Sequence, residues 1–183
     1  MSPATVPAPA SSEGLTLTPN GKFAYMGFGD TGPGIYQVNA DGSLTVIAQT
    51  VVNDSFNGVP NFSIDPGSRF VYAGELGPTG PQIIHFKIQP DGQLALISSG
   101  AIPAGLLELN ALFFDPSGQF VYLPETLSAA LTTFRIGSDG TLSAIPTPAV
   151  GTGNVPIFAA SVQRTGRKRS AMRGRNSITF VHH

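Results

Sequence analysis

Short apolar runs, broken at regular intervals by Gly, Pro, Asp and Asn, occupy the chain from about residue 14 onward. Thr18-Pro19-Asn20-Gly21-Lys22-Phe23-Ala24-Tyr25 recurs as Asp65-Pro66-Gly67-Ser68-Arg69-Phe70-Val71-Tyr72, and again as Asp115-Pro116-Ser117-Gly118-Gln119-Phe120-Val121-Tyr122. The three prolines are 47 and then 50 residues apart. A second marker follows each copy: Asp41-Gly42-Ser43-Leu44, Asp91-Gly92-Gln93-Leu94 and Asp139-Gly140-Thr141-Leu142. Two markers in the same order three times define an internal repeat.

Each marker has a mechanical cause. Asp or Thr before Pro, with Gly or Ser nearby, suits a tight turn in which Pro presets the bend and the polar side chain takes local backbone bonds. Asp-Gly between apolar runs predicts a hairpin, because Gly accepts positive φ. The run Phe-x-Tyr has Ala24, Val71 or Val121 on its opposite face, as expected of a strand covered on both sides. Tyr36-Gln37-Val38, Phe86-Lys87-Ile88 and Phe134-Arg135-Ile136 alternate like half-exposed strands. An inner run (Phe62 to Ile64, Leu112 to Phe114) precedes the first turn, and a last run follows Asp-Gly-x-Leu. Each repeat therefore predicts four strands, and four-stranded antiparallel sheets repeating every 40–50 residues read as β-propeller blades. A β-sandwich is the alternative, although a sandwich does not require a repeated sequence.

The combination Pro-x-Gly-x-Phe-x-Tyr, a strand ending in x-Phe-x-Ile/Val, then Asp-Gly-x-Leu resembles the lactonase-type (6-phosphogluconolactonase-like) β-propeller family and the related YVTN-repeat propellers. The resemblance covers about residues 14–163. It implies membership of a class of seven-bladed rings, some of which hydrolyse 6-phosphogluconolactone, while relatives cyclise muconates or have no known reaction. At about fifty residues per blade this chain holds three blades and part of a fourth. The expected fold is all-β: an incomplete propeller of four-stranded antiparallel blades, three plus a degenerate fourth.

The fourth repeat departs from the pattern. Val155-Pro156-Ile157-Phe158 matches Val59-Pro60-Asn61-Phe62, and Arg164-Thr165-Gly166-Arg167 falls in the turn slot. Lys168-Arg169-Ser170 then stands where Phe-x-Tyr is expected, and burying it on both faces would cost several kcal/mol. Asn176 to Val181 reads as a third strand. The expected organisation is a Pro/Ala/Ser-rich leader (1–13), three blades and the start of a fourth (14–163), and a basic, degenerate or truncated fourth-blade tail (164–183). A basic interaction tail is the rival reading of the last segment.

Charge sharpens that boundary. Only 11% of residues are charged, less than half the usual quarter. The net charge of −1 splits into a body (1–163) with four basic groups against eleven acids, a balance of −7, and a tail with six basic groups and no acid. Cysteine is absent, so disulfides and thiolate metal sites are excluded. No apolar stretch reaches the ~18 residues a membrane helix needs. No secretory signal is recognisable, which slightly favours the cytoplasm.

In a blade, the Pro-Gly turns and Asp-Gly turns share one rim, and the remaining connections share the other. Asp41, Asp65, Asp91, Asp115 and Asp139 are turn residues of the first rim. Glu13 is in the leader, and Asp30, Asp54, Glu75, Glu108 and Glu125 map to the second rim, Glu75 and Glu125 each three residues after the repeat tyrosine. Exposed loops need polar residues, which explains these acids without a function. The functional reading is an acidic rim for a small polar ligand or a basic protein partner, with Glu75 and Glu125 as candidate general acids or bases. No calcium-loop or zinc spacing is present, and no metal or cofactor is expected.

The basic groups oppose the family's best-known chemistry. Lys22, Arg69, Lys87 and Arg135 all fall near the first rim, so the arginine clamp a phosphorylated lactone requires is not visible on the second. His85 lies within a strand and reads as structural, while His182 and His183 end the chain. The serines lack a nucleophile-elbow context. Gly32 to Gly34 and Gly77 to Gly80 read as hairpin turns, since a phosphate cradle would open a helix. Gly166-Arg167-Lys168-Arg169 lacks an aromatic platform, so nucleic acid is not an expected partner. The expected activity is that of a binding module, with a sugar-lactone hydrolase as the alternative if other blades complete the ring. Open terminal blades also predict self-association.

Overall fold

The computed structural model describes residues 5–8, 14–27, 33–49, 62–77, 80–101, 112–125, 130–146, 150–151, 158–162 and 177–181. Blade 1 comprises β1 (Leu15–Leu17), β2 (Phe23–Met26), β3 (Gly34–Val38) and β4 (Leu44–Gln49). Blade 2 comprises β5 (Phe62–Ile64), β6 (Phe70–Gly77), β7 (Gly80–Ile88) and β8 (Leu94–Ala101). Blade 3 comprises β9 (Phe113–Phe114), β10 (Phe120–Glu125), β11 (Ala130–Ile136), β12 (Leu142–Ala144) and β13 (Val150–Gly151). Strands pair antiparallel in chain order within each sheet, so every blade is an up-and-down meander of four layers. In blade 3 the fourth layer is interrupted: β12 and β13 both pair with β11, on either side of a segment carrying Pro146 and Pro148. Proline has no N–H to give to such a ladder.

The fourth blade is represented by β14 (Phe158–Val162) and β15 (Ser177–Val181). The expectation of a third strand at 176–181 is corrected here. β15 pairs directly with β14, Ala160 opposite Thr179, and so takes the place that the second strand holds in the other blades. Lys168-Arg169-Ser170 offers no apolar face for that place, and Ser177 to Val181 is the next segment with strand-forming residues.

The turns are built as their residues dictate. Asp65 is fully buried, and its Oδ1 accepts from the amides of Arg69 (2.6 Å) and Phe70 (2.7 Å). Asp115 repeats this with the amides of Gln119 (3.0 Å) and Phe120 (2.8 Å). In blade 1 the Thr18 hydroxyl replaces the carboxylate, accepting from the Phe23 amide at 3.0 Å. The Asp-Gly turns place Gly42, Gly92 and Gly140 at φ of +81°, +87° and +89°.

Two cores lie between blades. Tyr25 and Ile35 of blade 1 meet Ile64, Val71, Ile84 and Phe86 of blade 2. Phe70, Tyr72 and Ile83 of blade 2 meet Phe114, Val121, Leu123 and Phe134 of blade 3. Alternation along each second strand produces this division: Phe and Tyr point to the following blade, Val to the preceding one. The inner strands are tied across the same joints. Thr16 Oγ1 donates to the Phe62 carbonyl (2.9 Å), and the Leu112 amide donates to Ser63 Oγ (2.9 Å).

Candidate functional site

The repeat tyrosine does more than fill space. The Tyr25 hydroxyl donates to the Gly92 carbonyl (2.9 Å) and the Tyr72 hydroxyl to the Gly140 carbonyl (2.7 Å), each reaching into the Asp-Gly turn of the next blade. Burial is the main cause that raises both phenols above the usual tyrosine range, so they remain hydrogen-bond donors at any ordinary pH. A Cβ on Gly92 would lie 2.7 Å from the Phe23 ring, and one on Gly140 would lie 2.6 Å from the Phe70 ring. Glycine is thus required here twice, for its positive φ and for the aromatic ring that lies against it.

Sequence reasoning missed one structural device. Both β3–β4 and β7–β8 shift register at the same place, between Ile35 and Tyr36 and between His85 and Phe86. The extra residues, Ile47 and Ile97, pack against the first and second cores respectively. A bulge reverses the in–out alternation of the outer strand. The signal was present as consecutive apolar residues, Val46-Ile47 and Leu96-Ile97, at equivalent positions.

The first rim holds its charges in structural work. Arg69 pairs with Asp65 (Nε to Oδ2, 2.9 Å) and lies 5.1 Å over the Phe70 ring, while Arg135 lies 5.0 Å over the Phe120 ring. Hydrogen bonds from Ser43 and from Thr141 hold Asp41 and Asp139 below the usual carboxylate range. His85 is buried on β7 and stacks on Tyr72, with centroids 5.8 Å apart. Burial lowers its pKa, and the Asp139 carboxylate opposes that shift.

Of the candidate rim acids, Glu75 lies on β6 opposite Gln82, and Glu125 ends β10 opposite Ala130. Both were expected just beyond their strands; the ladders run further, to Gly77 opposite Gly80 in blade 2. Asp30, Asp54 and Glu108 lie outside the described residues, as do residues 164–176 of the basic tail. Among the described residues no group of three or more His, Asp or Glu is placed to hold a metal ion. Among those same residues, no helix is long and apolar enough to cross a membrane.

The sheet order, the joints between blades and the shared inner strands define a β-propeller, present here in part. Solved structures with this fold include lactonases and other propellers. A putative 6-phosphogluconolactonase from Bacteroides fragilis superimposes with a TM-score of 0.67 at 19% identity, over 93% of this chain and 42% of its own. The periplasmic gluconolactonase PpgL of Pseudomonas aeruginosa gives 0.62 at 20% identity, over 79% and 40%. The Cps50 (Swd1) β-propeller domain of Myceliophteria thermophila gives 0.56 at 13% identity, over 81% and 44%. This chain spans less than half the length of each. No family model and no curated protein sequence matches it.

Proposed function

We propose that the chain is a ligand- or partner-binding propeller module whose working surface is the rim opposite the Pro-Gly turns. The observation that carries this reading is the equivalence of Glu75 and Glu125, three residues after the repeat tyrosine on the second strands of adjacent blades. Strand order supports it further, since the connections holding Asp30, Asp54 and Glu108 leave from strand ends at that same rim. Five acids on one rim would attract a cationic or hydroxyl-rich ligand, and a basic peptide is the simplest probe. The Glu75→Gln/Glu125→Gln double variant should bind fluorescein-labelled octalysine about tenfold more weakly at low salt by anisotropy. Equal binding by the double variant and the unaltered chain would refute the rim.

A second reading, sugar-lactone hydrolysis, is favoured by the fold shared with a putative 6-phosphogluconolactonase and a gluconolactonase. Against it, the basic groups of the described blades lie at the other rim, and Arg69 and Arg135 rest on aromatic rings. Hydrolysis of 6-phosphogluconolactone above the spontaneous rate by the purified chain would reverse the order of the two readings.

A further inference from the structure

The chain makes the same blade-to-blade joint twice, and one half of a third joint stands open on blade 1. Leu15 and Leu17 on β1 occupy the positions of Phe62 and Ile64 on β5, and of Leu112 and Phe114 at β9, as the registers against the repeat tyrosines show. With a preceding blade those positions are 5–8% exposed; on blade 1 they are 43% and 53% exposed. The turns repeat the contrast. Gly92 and Gly140 lie against Phe23 and Phe70, and a Cβ at Gly118 would lie 3.6 Å from Pro66 of the preceding blade, whereas nothing comes within 4 Å of a Cβ at the equivalent Gly42 or Gly21.

The open face is covered over its outer half. Tyr36 on β3 is 1% exposed, although its equivalents Phe86 and Phe134 are buried by a preceding blade that Tyr36 lacks. The leader supplies the cover: the Tyr36 hydroxyl donates to the Pro7 carbonyl at 3.0 Å. What remains open is β1, since Ala24 beside it on β2 is fully buried while Leu15 and Leu17 are exposed. Val46 on β4 adds nothing to the contrast, because its equivalent Leu96 is 52% exposed even inside the stack.

The last described element of the chain is smaller than a blade. The hairpin β14–β15 is the inner half of a blade, two strands wide, and β14 lies beside β9 as β5 lies beside β1. In ring order, the inner half of a blade is what should precede β1 and β2. We propose that the β14–β15 hairpin of a second copy of this chain packs on Leu15 and Leu17, each copy capping the first blade of the other in a closed two-fold ring. The leader remains in place and completes the cover over Tyr36. The joint is head-to-tail, so it generates either a closed ring or an open filament, and the two-fold ring is the discrete solution.

The test uses the full chain in sedimentation velocity from about 1 to about 100 µM. The 19.0-kDa chain should form a dimer and no larger species. Leu17→Lys places a charge on the receiving face, and Thr179→Pro breaks the β14–β15 ladder on the inserting side. Each variant alone should associate at least tenfold more weakly, with far-ultraviolet circular dichroism confirming that blades persist. Mixing the two variants should recover a dimer held by one of the two joints, because the Leu17→Lys copy keeps a sound hairpin and the Thr179→Pro copy keeps a sound face. Leu15→Lys replaces Leu17→Lys if the latter does not fold. Retained dimerisation by Thr179→Pro alone would overturn the proposal, since a face-to-face dimer needs no hairpin. So would a monomer across the whole range, open-ended polymers, or no recovery on mixing.

Discussion

Asp115 carries its charge into an almost closed site and is compensated there by local donors. Burial alone would raise its pKa, but hydrogen bonds from Ser117, Phe120 and Gln119 outweigh that and hold it below the usual aspartate value of 3.8. A carboxyl depressed in the folded state binds protons more readily when unfolded. Its stabilisation is therefore complete above about pH 4 and is lost as pH falls through the folded value. The urea midpoint should fall with acidification below pH ~4, and Asp115→Asn should flatten that part of the profile. Gly140 offers a second test with an internal control. Alanine at Gly140 or Gly42 meets the same unfavourable positive φ, at a cost of about 1 kcal/mol or more. Only Gly140→Ala also collides with a ring, that of Phe70, which should add about 1–3 kcal/mol in denaturant titrations. Equal losses at the two sites would mean that Phe70 moves aside freely.

At the scale of elements, the inner strands are joined by side chains acting on a neighbouring blade's backbone. Ser63→Ala deprives the Leu112 amide of its acceptor in a buried setting, which should destabilise the chain by about 1–3 kcal/mol. Hydrogen exchange at Leu112 should accelerate more than at amides within the β6–β7 ladder. The four-strand blade, its turns and its two-sided second strand were legible in the sequence, because Asp-Pro, Asp-Gly and Phe-x-Tyr each act through local geometry. The bulges at Ile47 and Ile97 were not, since two adjacent apolar residues look the same whether a strand bulges or is covered on both faces. The pairing of β15 was misplaced because repeat counting assumes a complete blade, while the ladder forms with whatever strand-forming segment comes next. Of the candidate site, the equivalence of Glu75 and Glu125 after the repeat tyrosine was legible; that both fall inside their strands was not.

For the whole molecule, the leader and the terminal blades decide what the ends expose. Residues 1–13 read as a linker from composition, yet Pro7 is bound to Tyr36, a contact with no local sequence signature. Tyr36→Phe removes the donor while keeping the ring, so limited proteolysis within residues 1–13 should become several times faster, with the blades still resistant. An unchanged cleavage rate would show that the ring alone retains the leader. The scarcity of charge noted in the sequence belongs to this scale as well. Blade faces are made to be covered, and two of the body's cationic side chains, Arg69 and Arg135, lie across aromatic rings.

The repeated tyrosine-to-glycine joint also has a consequence for cooperativity. A row of n units has n − 1 joints, whereas a closed row of n units has n, so closure adds a joint without adding a unit. A linear row loses its end units first, because each is held on one side only, and unfolding then spreads along the row like fraying of a short duplex. Among the described blades, blade 2 alone is held on both sides by complete neighbours. It should be the last to melt, and the breadth of the transition, more than its midpoint, would measure how far the row has closed.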